Sequence, residues 1–269
     1  LRGDFDLLLL SILTTMAAVG VYSAAGRVQM VGGMFLMAAE MVAKPIIADL
    51  HHKGDTVQLD RLYQTLTRWS FVFVLPYFCT VLLFADPILT IFGEEFSQGS
   101  TVLIVVSIGT LVQGATGICE ATIVMTGRSR LAFLNSLIAT GLSVTLASIL
   151  IPRWGLPGAA VAHSLSTALI NILGLVQVFW LHGLWPYNRE FIKPLVASAV
   201  ALAASHVMSQ LWPAHESIDY LFMDVAVFWS TYVAATILLG LSAEDIAVLR
   251  HTRTRFAAVL RRVERKSIG

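Results

Sequence analysis

Long apolar stretches run along almost the whole chain, separated by short polar or glycine-containing turns. An α-helix rises about 1.5 Å per residue, so about 20 residues cross a hydrocarbon core of about 30 Å. The stretches have this length, and they lack the alternation that is typical of β-barrel strands. The pattern predicts eight transmembrane helices, near residues 7–24, 27–50, 65–85, 101–125, 131–151, 157–181, 194–212 and 219–241.

Composition supports the same fold class. Hydrophobic residues make up 57% of the 269 residues and charged residues 13%, against about 45–50% and about 25% in soluble domains. A water-soluble fold of this composition would expose a large apolar area, which disfavours a soluble enzyme and a nucleic-acid-binding protein. We therefore expect an all-α, polytopic transmembrane bundle, with kinks at Pro45 and Pro76 where proline removes a backbone hydrogen bond.

The basic residues are distributed unevenly between the two sets of predicted loops. Fifteen of the 18 Lys and Arg residues fall on one side, whereas Arg27 and Arg153 fall on the other and Lys44 lies within a span. Short cytoplasmic loops carry an excess of Lys and Arg. We therefore expect a protein of the cytoplasmic (inner) membrane with both ends of this chain in the cytoplasm.

The last part of the chain, residues 243–269, is a separate basic element. Seven basic residues surround an apolar helical face that is formed by Leu249, Phe256, Leu260 and Val263. This pattern predicts an interfacial amphipathic helix that binds anionic lipid. The alternative is a solvated tail that only fixes the orientation of the protein.

Ionisable residues inside the predicted spans are the candidates for function, because each costs roughly 2.5–3.5 kcal/mol to insert. Glu40 and Lys44 are spaced i, i+4 and share a helix face,. They could form the charged wall of a water-filled cavity or a structural pair in which Lys44 reaches towards the membrane surface. For Arg27, the cavity interpretation is the favoured one. Glu120 needs a cation or a proton, so it could bind a coupling ion or pair with Lys44.

Catalytic and metal-binding patterns are weak by comparison. His51 and His52 have no cysteine or acidic ligand set at metal-binding spacing,. No catalytic residue, metal site or cofactor is predicted, and we do not expect an enzyme.

Five short motifs occur in order across about residues 2–182, and together they resemble the polysaccharide and oligosaccharide flippases of the MOP (multidrug/oligosaccharidyl-lipid/polysaccharide) superfamily. The motifs are Arg2-Gly3-Asp4 followed by the segment Val19–Arg27, Pro45–Leu50 with its following loop, Leu89–Phe96, Thr126-Gly127-Arg128 and Pro152–Ala162.

The resemblance implies a transporter of two six-helix lobes. Residues 1–184 would be the second lobe, residues 185–242 an additional helix pair, and the N-terminal lobe would be missing from this sequence. The implied function is translocation of an undecaprenyl-diphosphate-linked oligosaccharide by alternating access, for surface polysaccharide assembly. Arg27 matches the arginine of the family motif, so it is the first candidate for substrate binding. Lys44 and Glu40 follow, and Glu120 is the candidate for the coupling ion.

Three other functions remain open, and one of them is a non-transporting scaffold, for which closely packed small residues would suffice. A multidrug exporter of the same superfamily would use an acidic residue in a more apolar cavity. A membrane-embedded glycosyltransferase or polymerase would need a catalytic acid on a substantial loop, and the longest predicted loops have only about 15 residues,.

Overall fold

The computed structural model describes residues 2–211 and 218–240, and this part of the chain is mainly helical, without strands. Two 3-10 helices, Glu94–Gly99 and Arg189–Phe191, precede α4 and α8. The α-helices are α1 (Arg2–Leu13), α2 (Met16–Lys53), α3 (Thr56–Thr90), α4 (Ser100–Thr116), α5 (Cys119–Met125), α6 (Ser129–Trp154), α7 (Leu156–His182), α8 (Ile192–Leu211) and α9 (Ile218–Leu238). The predicted all-α architecture is confirmed.

Six of the described helical segments are long and apolar enough to cross a membrane, and Phe222–Leu238 in α9 is a shorter apolar helix. The chain is therefore a multi-pass membrane protein. The predicted tail, residues 243–269, lies outside the described residues.

The loops alternate between two ends of the bundle. At one end, His182 lies 3.0 Å from the Thr126 hydroxyl and its ring contacts the ring of His51. We call this the Gly54 end, because Gly54 closes α2 there in a left-handed conformation. At the other end, Leu10, Leu89 and Ile151 share one buried apolar cluster. We call it the Gly93 end, after the glycine between α3 and α4.

The first predicted helix, residues 7–24, is wrong in its boundaries. The helical run breaks at Thr14 and Thr15, and the Thr15 hydroxyl caps α2 by accepting a hydrogen bond from the Ala18 amide. Threonine is a favoured N-cap residue because its oxygen satisfies a free amide of the first turn. Gly26 and Arg27, where the sequence predicted the break, lie inside α2. The 12 residues of α1 cover only about 18 Å, less than a full span,.

The fourth predicted helix, residues 101–125, is also wrong as a continuous element. It is divided into α4 and α5 at Gly117, which adopts φ 72° and ψ −140°. An added Cβ at Gly117 would lie 2.1 Å from the Thr67 hydroxyl oxygen. Close approach of α3 therefore coincides with the break.

The two predicted proline kinks are not the points where α2 and α3 deviate. Helical dihedral angles continue through Pro45 and Pro76, and α3 departs from them at Phe84. Phe84 lies three residues before Pro87, whose ring crowds the carbonyl of the preceding turn. The other predicted helices agree with the structure to within a few residues at most ends; α3 extends nine residues before and five after its prediction.

Helices α8 and α9 pack beside α3. The Trp229 indole donates a hydrogen bond to the Thr80 hydroxyl at 3.2 Å, and the Tyr232 hydroxyl donates to the Val72 carbonyl at 2.8 Å. At the Gly54 end, Glu190 pairs with Lys193 and lies 4.0 Å from the buried Arg68 guanidinium. The boundary at residue 184 between lobe and helix pair stays a prediction.

Candidate functional site

At 100° per residue, Glu40 lies beside the buried Ile47 on α2, Lys44 lies at the edge of the exposed side, and Arg27 lies on the exposed face,. The opposite face, which includes Leu36, Ala43 and Ile47, is buried against the rest of the bundle. A charged side chain that is turned away from the packed core of a membrane helix must meet water, a partner or lipid, and lipid is the costliest of the three. The exposed face of α2 is therefore the first candidate for a polar cavity.

Glu40 and Lys44 form the predicted pair. The Lys44 ammonium lies 3.8 Å from a Glu40 carboxylate oxygen, and the two side chains are 44% and 25% exposed, respectively. Arg27 lies 13 residues earlier in α2, about 20 Å along the helix axis, so it is not part of this pair. A partly exposed ion pair is compatible both with a hydrated cavity wall and with internal neutralisation, and both interpretations remain open.

Glu120 lines a different feature, a polar cavity of about 190 Å³ between α2, α4, α5, α6 and α7. It lies within electrostatic reach of Glu40. In the described part of the chain, Lys44 has its ion pair with Glu40 and none with Glu120. Other polar residues that line the cavity include Gln29, Gln113, Asn135, His163 and Asn171.

The break between α4 and α5 positions Glu120. Gly117 ends α4, and Cys119 begins α5 within hydrogen-bond distance of the buried Tyr63 hydroxyl. Glu120 follows in the first turn of α5 and is exposed towards the cavity. A carboxylate among uncharged amides and a histidine is suited to hold a proton or a small cation, since oxygen ligands suit hard cations.

Gln29 is one cavity residue that the sequence analysis does not name. Its side-chain amide donates to the Val106 carbonyl at 3.3 Å and to the Thr110 hydroxyl at 3.1 Å, and lies 3.4 Å from His163. The sequence could have pointed to Gln29, because its amide side chain follows Arg27 by two residues in an otherwise apolar segment. By contrast, Asn135 and Gln177 hydrogen-bond each other between α6 and α7, as is common for polar residues in membrane bundles,.

The Gly54 end gathers most of the basic residues of the described part. Lys53, Arg128, Arg189 and Lys193 belong to its loops or helix ends, whereas Arg153 ends α6 at the Gly93 end. Two hollows of about 310 and 330 Å³ also open at the Gly54 end, beside His182. They are remote from Arg27, which lies in the Gly93 half of α2.

Comparison with known proteins identifies the class to which this membrane bundle belongs. The MatE family model matches residues 4–149, which is more than half of the chain. The chain therefore belongs to the MatE family, within the MOP superfamily.

Similar proteins include three curated sequences and one solved structure. The probable low-salt glycan biosynthesis flippase Agl15 of Haloferax volcanii is 30% identical over 62% of this chain. The capsular polysaccharide biosynthesis protein CapF of Staphylococcus aureus is 26% identical over 57%, and the probable flippase AglR of Haloferax volcanii is 26% identical over 63%. The lipid II flippase MurJ, in an inward closed conformation, shares the fold with a TM-score of 0.73 at 15% identity over 88% of this chain.

The chain spans only part of these proteins. The matches cover 36% of Agl15, 39% of CapF, 36% of AglR and 50% of the MurJ chain.

Proposed function

We propose that this chain is part of a transporter that moves a lipid-linked oligosaccharide across the membrane by alternating access. The observation that carries the proposal is the exposed face of α2, which presents Arg27, and Lys44 at its edge, away from the packed core of a membrane bundle. Membership of the MatE family and the flippase names of the relatives support it. The flippase names among the relatives favour transport over an enzymatic reaction.

The proposed substrate is of the undecaprenyl-diphosphate type. A diphosphate accepts several charge-assisted hydrogen bonds, and arginine is the side chain best suited to donate them in a fork. We assign this role to Arg27, with Lys44 as a second cation and Glu40 as the residue that tunes it. Glu120 is the proposed site of the coupling proton or cation, because its cavity is polar and lies within reach of Glu40.

The proposed orientation places the Gly54 end in the cytoplasm. The basic residues concentrate at that end, as they do in the cytoplasmic loops of inner-membrane proteins,. With this orientation α9 ends on the cytoplasmic side, which is compatible with the sequence prediction that the basic segment 243–269 binds anionic lipid.

Removal of the gene from its host tests the proposed function. We expect surface polysaccharide to be lost and its lipid-linked precursor to accumulate in the inner leaflet, because synthesis continues without translocation. The measurement is quantification of surface glycan and of precursor accessibility to a membrane-impermeant lectin. Restoration by the intact gene is the control. Lost drug tolerance with normal glycan would instead indicate an exporter, and accessible but unpolymerised precursor would indicate a polymerase.

Exchange of the two charges of the α2 pair separates its two interpretations. Glu40→Lys combined with Lys44→Glu keeps an i, i+4 ion pair on the same turns,. We expect this double variant to insert and melt like the natural protein but to transport at least about tenfold more slowly, because a cation contacting an anionic substrate has moved by one turn. Transport and melting temperature are measured on the same preparations. Full transport activity in the exchanged protein would leave the pair a purely structural role.

A further inference from the structure

A row of methionines separates the two cations of α2. Met30, Met34, Met37 and Met41 follow one another at intervals of four, three and four residues, between Arg27 and Lys44. At 100° per residue, all six positions fall within an arc of about 100° on the helix surface. We call the four methionines the methionine track. It contains half of the eight methionines of the chain.

The methionine track is exposed over its whole length. The four side chains are 71%, 60%, 65% and 71% exposed, in chain order. Of the six long apolar helices, α2 has the smallest buried share inside the bundle. The track therefore lies on the surface of the described bundle, where lipid, another part of the protein or a bound molecule can contact it.

The cations at the two ends of the track indicate that the molecule in contact with it is not bulk lipid. Arg27 and Lys44 lie on the same face, about 25 Å apart along the axis, and the span between them approaches the thickness of the hydrocarbon core. Within residues 2–211 and 218–240, Arg27 has no ion-pair partner. A surface that joins a cation to an uninterrupted apolar strip complements a molecule with an anionic head and an apolar chain.

The residue type of the track indicates which kind of apolar chain it suits. Methionine is unbranched and polarisable, and it forms adaptable surfaces that accept apolar groups of variable shape. A branched, flexible isoprenoid chain presents many conformations, so a thioether surface suits it better than a rigid wall of β-branched residues. The thioethers also offer only weak hydrogen-bond acceptors, so they would not hold a passing glycan in place.

We propose that the methionine track is the binding surface for the apolar chain of a polyprenyl diphosphate whose anionic head lies at Arg27 or Lys44. This inference rests on the proposed function and adds to it a contact for the lipid part of the substrate. It assigns a role to four residues that carry no charge.

Photolabelling of the full natural protein in nanodiscs tests the proposal. The probe is a polyprenyl diphosphate with a diazirine on its isoprenoid chain, and the labelled peptides are located by mass spectrometry. Met30→Gln with Met41→Gln is the test variant. Val31→Gln with Val42→Gln is the matched control. Val31 directly follows Met30 and Val42 directly follows Met41, and the two valines are 60% and 67% exposed.

We expect the natural protein to be labelled within residues 30–41. Labelling should fall about tenfold in the Met30→Gln, Met41→Gln variant, since two apolar contacts are removed. The valine variant should label like the natural protein. Met30→Leu with Met41→Leu should retain the label, because the surface stays apolar, and an unchanged melting temperature of the glutamine variant shows that its loss of label is not misfolding. The same probe without its diphosphate should label α2 less.

Other results would overturn the proposal. Label confined to other helices, or equal losses in the methionine and valine variants, would exclude the track as the lipid contact. Slower transport with unchanged labelling would make the track a contact with another part of the protein. In each case, a transport defect in an Arg27 variant would leave the proposed function standing. Absence of specific label together with normal transport by the Arg27 variant would contradict both the lipid contact at the track and the proposed function.

Discussion

Replacement of Arg27 by alanine should nearly abolish transport while the protein still inserts in the membrane. Arg27 is exposed on the face of α2 that is turned away from the bundle, and it has no ion-pair partner among the described residues. Loss of one partner of a desolvated charge contact costs about 2–5 kcal/mol, so we expect transport to fall at least about thirtyfold. Insertion should not suffer, because alanine is cheaper than arginine in the membrane. The measurement is precursor translocation in reconstituted vesicles.

Arg153 provides the matched control for this substitution. It is exposed at the end of α6, and Arg153→Ala removes the same charge from the Gly93 end of the bundle without altering the α2 face. We expect near-normal transport from Arg153→Ala and intermediate transport from Arg27→Lys, which keeps the charge but loses the planar fork. Normal surface polysaccharide in the Arg27→Ala strain would contradict the role assigned to Arg27.

Gly117→Ala should cause a large loss of stability. Gly117 adopts φ 72° and ψ −140°, and an added Cβ would lie 2.1 Å from the Thr67 hydroxyl oxygen. Backbone strain costs about 1–3 kcal/mol and overpacking about as much again. We expect the melting temperature of the purified protein to fall by about 6 °C or more.

Gly127→Ala separates the two contributions. Gly127 has φ 83°, but an added Cβ there would meet no atom within 4 Å. This variant should therefore show the strain without the collision and melt between the natural protein and Gly117→Ala. Equal melting temperatures for the two variants would show that α3 accommodates the methyl group and that close packing does not enforce the break at Gly117.

Several features could be predicted from local sequence. Apolar stretches of the right length predicted most of the helices, because the backbone in a membrane must satisfy its own hydrogen bonds. Gly54, Gly93, Gly127 and Gly155 marked turns, and each has a positive φ in the structure. The charge pattern identified Arg27, Glu40, Lys44 and Glu120 as exceptional, since such residues are costly in membrane spans.

The boundaries that failed depend on contacts that no local pattern encodes. A charged residue was expected to mark the end of a span near Arg27, yet α2 continues because that side chain lies on an exposed face. The break at Gly117 accompanies a close approach of α3. Thr67 is a neighbour of Gly117 in space but not in sequence. The deviation at Phe84 depends on Pro87 rather than on Pro76.

The sequence by itself determined the membrane class, most of the helices and the few charged residues that need an explanation. These properties follow from hydropathy, helix length and the cost of burying charge, which depend on residues close together in the chain. Only the tertiary structure decided which helix face is buried and that Gln29, Glu120 and His163 line one cavity. Such groupings arise from the packing of distant helices, because side chains far apart in the sequence become neighbours only when the bundle is assembled.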